Sequence, residues 1–275
     1  MRYIVKFIKV LFGVTLLSLL GAVVYFLTLR AGLPTKGDAG EEADSFARMI
    51  QSKAQREAWA QTGAIKWTLW GREHLWDLRR GLVRVKQDDL TVLFDITRKR
   101  EVARRGSKLL KGEEAAQVLT AAYESWLRDR FILEPTQSFF DKGVKRFLLN
   151  KGTPNESLFV HYSSQLNPAL TDDSYEWLVN AEGTPRAVRV WSSAHPLLDG
   201  VAVTLERWKT LKTGLKVATR HELGPFAVEL SVSADMSLTE LMGDEDPFKE
   251  IEPDPFEPAP SSQPNVIPGV ERPFY

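Results

Sequence analysis

Apolar and polar residues alternate with a period of two along much of the chain, the signature of strands that bury one face. Ile65, Trp67 and Leu69 share one side, with Lys66 and Thr68 on the other. Gly71 breaks the run, and Trp76 and Leu78 resume it. After Gly81, Val83 and Val85 oppose Arg84 and Lys86, and Gln87-Asp88-Asp89 forms a turn cluster. Leu90, Val92, Phe94 and Ile96 then share a face, and Glu101 to Arg105 reads as one more strand before Gly106. This predicts an antiparallel meander with an aromatic and aliphatic inner face and a charged outer face. Further strand-like runs cover 143–149, 158–162, 175–179, 188–191, 201–205, 215–219 and 226–232, with Gly-, Pro- or Asn-containing turns between most of them.

Two segments switch to helical periodicity. Phe46, Ile50 and Ala54 recur four apart, predicting a helix over 41–62 that Gly63 stops. Ala115, Val118, Leu119, Ala122 and Trp126 form one stripe, predicting a second helix over 113–127. The expected fold is mainly β (α+β). It is a curved antiparallel sheet or half-barrel of about eleven strands with two helices, preceded by one transmembrane helix.

That last element rests on residues 10–29, twenty positions without a charge. At about 1.5 Å per residue they span a hydrocarbon core of about 30 Å. A cleaved signal peptide is the rival reading, but this run exceeds the usual apolar length of about 7–15 residues. It also ends in bulky Tyr25, Phe26 and Leu27. Arg2, Lys6 and Lys9 precede it, which favours a cytoplasmic N-terminus and a domain outside the inner membrane, in the periplasm. The expected organisation is an anchor over 1–30, a linker over 31–40, a soluble domain over 41–242 and a disordered acidic tail over 243–275. The tail carries eight of the fifteen prolines and repeats one tripeptide, as Asp246-Pro247-Phe248 and Asp254-Pro255-Phe256. Aromatic residues on such segments dock in grooves, so a protein partner through the tail is one expectation and a solvated tail the other.

Composition mostly excludes. Net charge is zero, which gives no electrostatic case for nucleic-acid binding. No cysteine is present, so disulfides, thiolate metal sites and a cysteine nucleophile are absent. The serines lie in no G-x-S-x-G setting, and no glycine loop has phosphate-binding spacing. His74 and Asp77 are three apart and face opposite sides of a strand unless a bulge intervenes. His161, His195 and His221 are scattered and carry no metal-ligand spacing. No cofactor, metal or catalytic residue is expected.

Tryptophan is the stronger signal, with eight in the chain. Two readings fit them: an aromatic core, or the walls of an apolar ligand cavity. Trp67, Trp76, Trp126 and Trp177 are the candidate wall or lid residues.

The order helix, meander, helix, second strand run resembles the periplasmic lipoprotein-carrier fold of the Lol system. The run from His74 to Val85, HLWD followed by G-x-V-R-V, together with Tyr175-Glu176-Trp177, is similar to a family of uncharacterised bacterial envelope proteins associated with that fold. The resemblance covers about 41–235 and implies an eleven-stranded half-barrel that binds acyl chains or lipoproteins without catalysis. The carrier is a free soluble protein, whereas this chain has a membrane span and no cysteine to lipidate. The functional expectation is therefore a non-catalytic, membrane-anchored protein outside the inner membrane that binds a lipid or an acylated protein. The alternative is a scaffold whose tail recruits a partner.

Overall fold

The alternating runs form strands that pair with their sequence neighbours. The computed structural model describes residues 9, 11–18, 21, 24, 28, 30–54, 57–133, 136, 138–163, 165, 172–192, 199–224 and 226–251. Among them are helices α1 (Glu41–Lys53), α2 (Ala58–Gln61), α3 (Gly112–Leu133) and α4 (Leu238–Met242), and a 3-10 turn at Lys249–Ile251. Six strands precede α3: β1 (Ala64–Leu69), β2 (Arg72–Asp77), β3 (Leu82–Gln87), β4 (Leu90–Asp95), β5 (Glu101–Arg105) and β6 (Lys108–Leu109). Eight come after it: β7 (Val144–Leu149), β8 (Ser157–Tyr162), β9 (Ser174–Val179), β10 (Pro185–Trp191), β11 (Val201–Thr210), β12 (Lys216–Leu223), β13 (Phe226–Glu229) and β14 (Ser231–Asp235).

These make two seven-stranded antiparallel sheets, one ordered β14-β1-β2-β3-β4-β5-β6 and the other β13-β12-β11-β10-β9-β8-β7. They are curved but not closed. Only Leu230 separates β13 from β14, and its N–H reaches Thr219 O at 2.8 Å. One run of backbone thus edges both sheets. Fourteen strands are described against about eleven expected; two of the additional ones arise because this run splits at Leu230 and because β6, two residues long, is too short to show periodicity.

Each sheet carries a helix. α3 covers the first sheet, where Leu119, Ala122 and Trp126 pack with Trp67, Trp76, Val83, Val85, Val92 and Phe94. α1 covers the second, where Ala47 and Ile50 meet Leu158, Val160 and Trp177. α1 ends at Lys53, earlier than the sequence predicts, and α2 is a separate turn. α3 runs six residues beyond the predicted Leu127, because the apolar stripe continues through Asp129 to Leu133 and the polar residue hides the pattern.

The first sheet is buried on its other face too. Leu75, Leu82 and Leu93 point away from α3 and pack with Leu238, Phe248 and Ile251. The outer face predicted to carry charge is therefore partly apolar. Residues 243–251, placed by the sequence in a disordered tail, lie against it, and Phe248 is fully buried. The rest of the predicted tail, from Glu252, lies outside the described residues. In the predicted linker, Asp38 pairs with Leu148 of β7, and Ala31 O accepts the Trp191 indole N–H at 3.1 Å.

Nine of the twenty residues of the predicted membrane span lie outside the described residues. Within it, 11–18 are helical and expose Leu11, Phe12, Val14, Leu16 and Leu17. Among the described residues, no helix is long and apolar enough to cross a membrane.

Gly63 holds the entry to β1 against the exit from β14. Its N–H meets Asp235 O and its carbonyl accepts the Leu78 N–H, both at 2.9 Å. A Cβ there would sit 1.9 Å from Met236 O, a contact no side-chain rotation relieves. Gly63→Ala is expected to cost at least the upper end of the about 1–3 kcal/mol typical of overpacking. Urea unfolding checks this, and a midpoint like that of the wild type would contradict it.

Candidate functional site

The four predicted tryptophans are buried, but they are not one cluster. Trp67, Trp76 and Trp126 lie between α3 and the first sheet, whereas Trp177 lies in the second sheet against Phe139, 5.4 Å away in T-shaped contact. Trp126 meets Trp76 edge-on at 5.5 Å and Phe94 at 5.7 Å. Trp67 stacks on His74 at 4.7 Å. All four are at most 3% exposed. Their indole nitrogens have no hydrogen-bond partner among the described residues, unusual for buried tryptophan.

His74 does not pair with Asp77. β2 turns the two to opposite faces, and Asp77 accepts the backbone N–H groups of Arg79 and Arg80 in the β2–β3 turn. His74 faces α3 instead. Its Nε2 lies 2.9 Å from Asp129 Oδ2, and Arg72 Nη1 donates to the same oxygen at 2.6 Å. His74 and Asp129 are both fully buried. Burial lowers the His74 pKa below its ordinary value, against the opposing pull of Asp129, so the ring is neutral near pH 7. A neutral ring that donates from Nε2 leaves Nδ1 an acceptor, and Nδ1 has no partner among the described residues. This pair was not legible in the sequence. The residues are 55 apart, and Asp129 occupies a stripe position where an apolar residue is expected.

Beside the pair, a cleft of about 400 Å³ opens between α3 and the β3–β4 hairpin. Val85, Leu90 and Val92 line it from the sheet, and Val118, Ala121 and Ala122 from the helix. Arg72, Arg105 and Arg128 also line it, with Asp88, Asp89 and Glu124, so its formal charge balances, and Gln87 and Ser125 complete the polar part of the lining. None of the four predicted tryptophans lines it. Arg72 links the cleft to Asp129.

Trp177 instead borders a much smaller space, about 20 Å³, with Trp59, Trp208 and His221. Burial depresses the His221 pKa to about 4. His161 pairs through Nδ1 with Ser174 Oγ at 2.9 Å, and His195 lies outside the described residues. Among the described residues, no three acidic or histidine side chains are grouped to hold a metal ion.

No protein-family model matches the chain, and no curated protein matches it in sequence. Among solved structures, a DUF1329 family protein from Desulfovibrio piger is similar, with 8% identity and a TM-score of 0.37. The match covers 73% of this chain and 96% of that one.

This geometry can be checked at two residues. Trp126 is packed on every side, so Trp126→Ala is expected to cost about 3–5 kcal/mol, the range for removing a large core aromatic. A loss near 1 kcal/mol in denaturant unfolding would show that it roofs open space instead. For His221, the folded ring takes a proton only near pH 4, whereas the unfolded chain does so near 6.5. Between those values unfolding binds a proton, so this contribution to stability is complete above 6.5 and declines as pH falls toward 4. The stability difference between wild type and His221→Gln should therefore shift against the wild type over that interval, as thermal melts across pH would record. A pH-independent difference would contradict it.

Proposed function

We propose that this protein is a non-catalytic binder of an acyl chain, belonging to a lipid or to an acylated protein. In this reading the curved sheet is a half-barrel of the lipoprotein-carrier type, with α3 as its lid. The supporting observation is the cleft beneath α3. It is lined by aliphatic residues together with charged residues of both signs, and its volume of about 400 Å³ falls within the range of small-molecule sites, about 300–1,000 Å³. A lining of aliphatic and charged residues suits an amphipathic ligand that lays its chain against the first and pairs its headgroup with the second. Trp67, Trp76 and Trp126 back this cleft as rigid support for α3 and do not line it. The uncharged run 10–29, flanked by Arg2, Lys6 and Lys9, supports an anchor in the inner membrane with the domain on the periplasmic side.

Ala121 tests the proposal because it lines the cleft yet is exposed on α3. Ala121→Trp fills the space without displacing the core, so its own stability should change by no more than about 0.5 kcal/mol. A long-chain fatty acid at about 100 times its dissociation constant should stabilise the wild type by about 2.7 kcal/mol and the variant far less. Thermal melts of both proteins across a fatty-acid titration measure this. A wild type that no acyl ligand stabilises would leave the scaffold, with a partner recruited through the tail, as the better reading.

A further inference from the structure

We propose that the groove around Arg80, on the face of the first sheet opposite α3, is a receptor for the tripeptide Asp-Pro-Phe. Its second occupant is this chain's own second copy, Asp254-Pro255-Phe256. The first copy shows what the groove recognises. Arg80 grips the Asp246 carboxylate with two N–H groups, at 2.7 and 3.1 Å. Asp246 Oδ1 also accepts the Phe248 N–H at 2.9 Å, which closes a turn around Pro247. That turn delivers the Phe248 ring, fully buried, among Leu75, Leu82 and Leu93, and the Arg80 guanidinium lies 5.5 Å from the ring centre. Each of these contacts belongs to Asp, Pro or Phe, and the second copy repeats all three in the same order.

The copies differ in their C-terminal neighbours. The first runs into Lys249-Glu250-Ile251. Glu250 pairs with Arg104, Ile251 is buried, and its carbonyl accepts Arg100 Nη1 at 3.0 Å. The second runs into Glu257-Pro258-Ala259, with proline in place of the ion-pairing glutamate and alanine in place of the buried isoleucine. The first copy therefore holds the groove at rest, and the second is the weaker ligand for the same pocket. Exchange slips the chain by eight residues and leaves the slack as a loop after α4. Loop-closure cost rises only logarithmically with length, and a short tether holds the second copy at millimolar effective concentration. An exchange of this kind places Asp246–Ile251 in solution, where another protein can reach it.

A double-mutant cycle on the full chain tests this. Asp254→Ala/Phe256→Ala should melt with the wild type. Asp246→Ala/Phe248→Ala should lose less than half as much in Tm as the variant with all four changes, because the second copy takes the groove. If the fourfold variant melts together with the first-copy variant, the proposal fails. A first-copy variant that does not fold overturns it too. A Tm for that variant that rises with protein concentration would give the groove to a neighbouring copy and overturn the assignment within one chain. A second measurement uses only forms with the first copy intact. Hydrogen exchange at the Phe248 amide should be several-fold slower in Asp254→Ala/Phe256→Ala than in wild type, because the competitor that captures the open groove is gone. Equal exchange rates would overturn the proposal.

Discussion

One stretch of backbone has to satisfy two sheets. From Phe226 to Glu229 the chain pairs with β12, and from Ser231 to Asp235 it pairs with β1. Leu230 is the pivot, buried in the core and bonded to Thr219 by its N–H. The same run of backbone is the end strand of each sheet, so the two sheets are tied to each other by the chain itself. The constraint extends to the neighbours: Lys212 reaches Asp235 at 2.7 Å, and Gly63 admits the backbone of Met236. The β11–β12 hairpin, through Leu211, Leu215 and Val217, then joins the core of the first sheet although its strands belong to the second.

The seam leaves each sheet curved around its own helix, and the two helices are not equivalent. α1 packs on its sheet through Ala47 and Ile50, with Phe46 and Met49 beside them. α3 presents Trp126, which packs among the aromatic residues of its sheet. Toward the β3–β4 hairpin, Val118, Ala121 and Ala122 of α3 border the open cleft, while Leu119 on the same stripe stays in the core.

Much of this was legible in the sequence because it rests on local periodicity. The meander, its turns and the two long helices arise from alternation and four-residue spacing. What escaped depends on pairs remote in sequence. Asp129 reads as an interruption of an apolar stripe and becomes intelligible only opposite His74 and Arg72. Leu75, Leu82 and Leu93 looked like the back of a one-sided sheet, since nothing local shows that residues 238–251 return to cover them. The tryptophans could be read from the sequence either as core or as cavity wall, because periodicity gives a face and not a distance. It could not separate Trp177, which belongs to the other sheet, from Trp67, Trp76 and Trp126.

The polar interior of the first sheet is where local rules are broken most. A layer that buries three indole N–H groups, His74 Nδ1 and Asp129 Oδ1 without hydrogen-bond partners among the described residues is expensive as a pure core. Leucine or phenylalanine at these positions would pack without that cost. The charge at Asp129 is partly compensated by Arg72, which reaches in from the cleft, so its stability depends on a side chain that also borders the cleft. Any occupant that draws Arg72 outward weakens the hold of β2 on α3, and any that leaves it in place preserves it. The cleft and the attachment of α3 are therefore coupled through Arg72, and Arg128, which borders the same cleft and lies 3.8 Å from Asp129 Oδ1, adds a second guanidinium to that link.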